Sequence, residues 1–174
     1  MSGVLVRHRK LSELEFYKTA FALRVEVNRV AMDEDVFPKR YRFSNAMPII
    51  EEARDVVRNI ARSDKFYPNT PFNVRERRRY ATLAIASCQA MMDDLRCYIE
   101  TRRDRVTGNI PFEIGRLENL IAMADEEIAL LTGYRKRVRL LGTPCIEDRI
   151  AEARAQVAAL EDERAERALA GDVQ

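Results

Sequence analysis

Few of the residue types that carry out chemistry in proteins stand in usable arrangements in this chain. The single histidine, His8, and the three cysteines, Cys88, Cys97 and Cys145, show no CxxC or other metal-ligand spacing. A zinc centre needs several such donors drawn together. A di-iron carboxylate site on helices needs Glu-x-x-His pairs, and the sequence has none. No Gly-rich phosphate loop and no GxSxG elbow occurs, so neither a nucleotide cradle nor a serine nucleophile is signalled. Asp93-Asp94 and Glu126-Glu127 are paired acids on helical stretches, and solvated, ion-paired faces account for both. Ser87 and Cys88 fall on or beside an apolar stripe, where a small polar residue or thiol allows close packing rather than attacking a substrate. The expectation is a protein without catalytic residues, metal or cofactor, one that binds.

Arginine is the chemistry the chain does offer. Of 30 basic residues, 25 are Arg and 5 are Lys, against 28 acids, for a net charge of +2. The guanidinium presents a planar fork of donors suited to phosphate and carboxylate, and it stacks on bases. A composition bias raising Arg and Ala together is the competing explanation. The cations gather in five groups: Arg7, Arg9 and Lys10; Lys39, Arg40 and Arg42; Arg75, Arg77, Arg78 and Arg79; Arg102, Arg103 and Arg105; and Arg135, Lys136, Arg137 and Arg139. Each lies at a predicted helix end or in the loop beside it.

The elements that must position these groups are helices, since Ala, Leu, Glu and Arg dominate and only 6 Gly and 6 Pro interrupt. Ser12-Glu13-Leu14-Glu15 reads as a capping box, and Phe16, Ala20, Leu23, Val27 and Val30 then form an apolar stripe. A second helix starts near Ser44, tolerates Pro48 in its first turn, and carries Ile49, Ala53, Val56 and Ile60. Tyr67-Pro68-Asn69-Thr70-Pro71 breaks the pattern. The third helix, about Asn73 to Arg103, places Tyr80, Ala84, Ser87, Met91, Leu95 and Tyr98 on one face, supported by Leu83 and Ile99. After a turn at Thr107-Gly108-Asn109 comes a fourth, with Ile114, Leu117, Ile121, Ala124, Ile128 and Leu131; Gly133 lies near its end, though the pattern can run on to Leu141. A fifth segment, with Ile146, Ile150, Ala153, Val157 and Leu160 flanked by charge, reads as an exposed helix or coiled-coil arm.

The fold expected is all-α, an antiparallel up-down four-helix bundle with an additional C-terminal helical segment, because short links set consecutive helices side by side. It divides into a flexible basic leader (1–11), the bundle (12–141), and a charged helix with a disordered tail (142–174). An odd cysteine count speaks against a disulfide framework and for a reducing compartment. With no signal peptide and no apolar span, the expectation is a cytoplasmic protein without a membrane partner.

Up-down threading brings the starts of helices one and three and the end of helix four to one pole, where eleven cations collect: Arg7, Arg9, Lys10, Arg75, Arg77, Arg78, Arg79, Arg135, Lys136, Arg137 and Arg139. Such crowding is self-repulsive unless an anion meets it. Arg75 to Arg79 stand at a helix N-terminus, which disfavours cations, so helix stability does not explain them. Phosphate backbone is the expected partner, with Tyr67, Phe72 and Tyr80 available to stack on bases. The alternative is a salt-bridged rim that meets acidic residues of another protein.

Phe37-Pro38, Tyr41 and the run Val57-Arg58-Asn59-Ile60-Ala61-Arg62-Ser63 resemble a stretch of the bacterial four-helix-bundle proteins that include those encoded in intervening sequences of large-subunit ribosomal RNA genes. Arg62-Ser63-Asp64 replaces that family's Glu-Gly. The runs Leu14 to Phe21, Glu76-Arg77-Arg78-Arg79-Tyr80 and Glu127 to Lys136, with the Tyr67-Pro68 break, resemble a related branch, the accessory variability determinant proteins of diversity-generating retroelements. The likeness spans about residues 12 to 137 and rests mostly on packing patterns. It implies a homo-oligomeric, typically pentameric, basic barrel that binds a reverse transcriptase and its template-repeat RNA or cDNA and supports mutagenic cDNA synthesis without catalysing it. The broader family implies instead an adaptor acting through protein–protein contacts.

Overall fold

The computed structural model describes residues 14–141 and 146–171. Within them lie five helices, α1 (Glu15–Met32), α2 (Met47–Lys65), α3 (Pro71–Arg102), α4 (Gly115–Arg137) and α5 (Ile146–Gly171), and no strand. The first four pack around a shared core.

Helix α1 buries Ala20, Leu23, Val27 and Val30, the stripe its spacing predicts. Its expected cap, Ser12, lies outside the described residues. A 3-10 turn (Lys39–Tyr41) and a π turn (Arg42–Ala46) precede α2, so this helix starts three residues after the expected Ser44, with Pro48 in its first turn. Helix α3 starts two residues early because Thr70 caps it: the Asn73 N–H donates to the Thr70 hydroxyl at 3.1 Å and Pro71 takes the first helical position, where a missing N–H costs nothing.

The buried face of α3 keeps Ala84, Met91, Leu95, Tyr98 and Ile99 of the expected stripe but is wider, and Tyr80 and Ser87 lie at its margin. Ala81, Ala84, Ile85, Cys88, Met91, Met92, Leu95, Tyr98 and Ile99 are buried, whereas Leu83 is 40% exposed. Over 32 residues a face drawn at one fixed spacing drifts around the helix, and α3 packs on both α2 and α4, which widens its buried side. Helix α4 continues through Gly133 to Arg137. Gly108 alone, among the described residues, takes positive φ (72°), as its turn between α3 and α4 requires.

The core has two parts. Around Tyr98, the Phe37 ring stacks at 4.3 Å, Phe112 at 5.8 Å, and Tyr41 meets it edge-on at 5.8 Å. The Tyr98 hydroxyl donates to the Val36 carbonyl at 2.5 Å, which satisfies a polar tip inside an apolar cluster. The second part joins Ala20, Val56, Val57, Ile60, Ala84, Ile85, Cys88 and Leu131.

Contacts between helix ends define two poles. At one, Phe16 of α1 meets Tyr134 of α4 at 4.5 Å between ring centres. There too Ser63 of α2 accepts or donates to the Tyr134 hydroxyl at 3.2 Å, Arg78 of α3 donates to the Val138 carbonyl at 2.7 Å, and the Leu141 N–H donates to the Pro68 carbonyl at 2.7 Å. At the other, Arg116 of α4 pairs with Asp33 after α1. Helix α5 leaves Ile146, Ile150, Val157 and Leu160 between 47% and 70% exposed. None of the helices, among the described residues, is long and apolar enough to cross a membrane.

Candidate nucleic-acid interface

The first pole is built by the α2–α3 connection and the end of α4. Because Tyr67-Pro68 turns the chain back, the last turn of α2 lies beside the first turns of α3. The Arg78–Val138 bond and a second, Arg135 to the Thr82 hydroxyl at 3.1 Å, tie α4's last turn to the same place. Two of the three cationic stretches expected to converge are therefore neighbours. Arg7, Arg9 and Lys10, the third, lie outside the described residues.

These side chains do different work. Arg75, Arg78, Arg79, Lys136, Arg137 and Arg139 are exposed, and Arg135 is half-buried. Arg77, also expected to bind, has a side chain only 15% exposed. Its guanidinium donates to the Tyr134 hydroxyl at 2.5 Å, the Phe66 carbonyl at 3.0 Å and Asp64 at 3.0 Å. It knits α2, α3 and α4 together, with each of its three nitrogens engaged inside the fold. Replacing Arg77 by Ala removes charge-assisted bonds and leaves the part-buried Phe66 carbonyl without this partner, at a cost of about 2 kcal/mol; urea titration checks this.

Arg62 and Lys65, in the last turn of α2, are exposed members of the same pole that sequence reasoning missed. Arg62 lies 5.9 Å from the Tyr80 ring centre. Their signal was the spacing of two cations three residues apart just ahead of the Tyr67-Pro68 break, which the neighbouring acid Asp64 obscured. Of the aromatics expected to stack on bases, Tyr67 (40%) and Phe72 (56%) are exposed. Tyr80 instead stacks on Phe66 at 5.6 Å.

Charge balance separates the two poles. At the second, Lys39 and Arg42 face Glu34, Arg103 faces Glu100 and Arg116 faces Asp33. Asp33 is accordingly held below the usual carboxylate range, chiefly by Arg116. Arg40 and Arg102 lie over the Tyr41 ring at 4.7 and 4.6 Å. At the first pole, among the described residues, only Arg77 with Asp64 and Arg79 with Glu76 are ion-paired. The second of these is a surface pair of little strength.

Between the α1 start, the α2–α3 connection and the α4 end lies a cleft of about 630 Å³. Its walls include Leu14, Phe16, Pro68, Leu130, Val138 and Leu141, and it is edged by Arg137, Arg139, Glu15 and Tyr67.

One acid is misread by sequence. Glu127, expected on a solvated face, is fully buried, and burial pushes its pKa up to about 7. The Thr19 hydroxyl contacts it and also donates to the Glu15 carbonyl at 3.1 Å. A hydroxyl has one proton. With that proton on Glu15, the Glu127 contact is made by a protonated carboxyl donating to Thr19, and the other carboxyl oxygen has no partner. Cys88, as expected, is buried packing; burial and the nearby Glu127 and Glu52 push its thiol up to about 12, far from a nucleophile's range.

Compared with protein-family models, curated proteins and solved structures, the chain finds no match in any of the three.

Proposed function

We propose that this protein is a non-catalytic RNA-binding accessory factor, an antiparallel up-down four-helix bundle that meets phosphate backbone with its cationic pole. One observation carries the reading: the stretches around Arg75 to Arg79 and Arg135 to Arg139 are tied side by side by the Arg78–Val138 bond, and six of their eight cations lack a carboxylate among the described residues, whereas at the opposite pole Lys39, Arg42, Arg103 and Arg116 each face one and Arg40, Arg102 and Arg105 do not. Exposed guanidinium groups so crowded gain by binding a polyanion that releases its counterions. On the resemblance to accessory variability determinant proteins, the partner RNA is a retroelement's template-repeat RNA, the protein partner its reverse transcriptase, and the working form a homo-oligomer, typically a pentamer.

Binding to a structured RNA hairpin, followed by fluorescence anisotropy, tests this. Affinity is expected to fall about a thousandfold or more between about 50 and 200 mM salt, as for a protein making several phosphate contacts. An affinity that stays level across that range sinks the reading.

A second reading, an adaptor acting through protein contacts, is favoured by the apolar residues left in solvent on α5 and by Phe43, 89% exposed. Under it, RNA binding is absent and neutralising the pole leaves assembly unchanged.

A further inference from the structure

We infer that the cleft at the cationic pole receives one unpaired base of a bound single strand, with its phosphates lying across Arg137 and Arg139; this rests on the RNA-binding reading above.

The cleft is of ligand size. At about 630 Å³ it falls within the range of about 300–1,000 Å³ typical of small-molecule sites, which are mostly apolar with a few polar groups that orient the guest. Its apolar walls come from Phe16, Leu130, Val138 and Leu141. Of the polar side chains at the cleft, Tyr134 and Asp64 are bonded to Arg77, which leaves the Glu15 carboxylate and the guanidinium groups of Arg137 and Arg139 to meet a guest. A base has both a π-face for the apolar walls and an edge of donors and acceptors for those groups. A plain hydrocarbon tail uses only the walls.

The rim supplies the charge. Arg137 anchors its Nε on the Gly133 carbonyl at 3.2 Å, and its two terminal nitrogens have no partner among the described residues. Arg139, two residues on, is exposed. Tyr67, 40% exposed, stands at the same cleft and offers an aromatic face for stacking. A duplex keeps its bases stacked inside and can use the cations alone. A single strand can use cations and cleft together.

The test uses the full chain and a twelve-nucleotide single-stranded RNA, the same strand with abasic sites, and a paired duplex of equal length. The intact strand is expected to bind about tenfold more tightly than its abasic counterpart, whose charge is the same. A 2-aminopurine in the intact strand should change fluorescence on binding. The double variant Tyr67→Ala, Leu141→Ser alters exposed side chains only, so the bundle is expected to remain folded by circular dichroism. It should lose that tenfold preference while duplex affinity and salt slope stay unchanged. Equal, salt-dependent binding of intact and abasic strands with silent 2-aminopurine overturns the base cleft and leaves phosphate binding standing. Absence of binding to all three RNAs overturns both.

Discussion

Glu127→Gln is expected to stabilise the protein at pH 8 by about 3 kcal/mol, raising the melting temperature by about 6–12 °C for a chain of this size. The wild-type carboxyl is fully buried, with its pKa pushed from 4.5 to about 7. In the unfolded chain the same group ionises near 4.5. Between those values the folded state holds a proton that the unfolded state has released, so stability falls as pH rises. The contribution is full below pH 4.5 and gone once pH passes 7. An interval of about 2.5 pH units corresponds to about 3 kcal/mol. Glutamine reproduces the protonated arrangement, since its amide donates to Thr19 and never ionises. Urea titrations from pH 5 to 8.5 should show the two proteins nearly equal at the acid end and diverging toward pH 8. Parallel curves at all pH values would mean that Glu127 is not protonated in the fold. Asp33, Glu100 and Asp104, each held below the usual carboxylate range by hydrogen bonds, lose stability only as pH falls toward the acid limb. They act alike on both proteins.

Neutralising the pole is expected to have the largest effect on binding. Arg75, Lys136, Arg137 and Arg139 are exposed and lack a carboxylate partner among the described residues. Changing all four to Ala should lower affinity for a structured RNA about 100- to 1,000-fold near physiological salt and flatten the logarithmic salt slope by about four. Folding should change little, since none of the four holds two helices together. Arg77 and Arg78 are left intact because their bonds cross between elements. The matched control converts Arg29, Arg58, Arg96 and Arg103, each already paired with an acid three residues earlier, and should keep affinity within about threefold. Equal losses in both variants would reduce the effect to net charge and remove the pole's special role.

Much of this molecule is legible from local pattern. The stripes of α1 and α2, the break at Tyr67-Pro68, the turn at Gly108 and the exposed face of α5 follow from spacing and from turn chemistry confined to a few neighbouring residues. Boundaries moved where a single local contact decided them, as at Thr70, whose hydroxyl starts α3 two residues early.

What lay beyond pattern depended on partners distant in sequence. Glu126 and Glu127 are identical neighbours, yet one is exposed and the other fully buried, because α4 turns only Glu127 toward Thr19, 108 positions away. Arg77 stands in a run of like residues, and only Tyr134, 57 positions on, together with Asp64 and Phe66 makes it a brace rather than a binding group. Residue type and spacing by themselves determined the helices and where positive charge gathers along the chain. The tertiary structure alone decided which of those charges are consumed internally and which remain for a partner, because neutralising or burying a charge depends on groups brought within a few ångströms by packing.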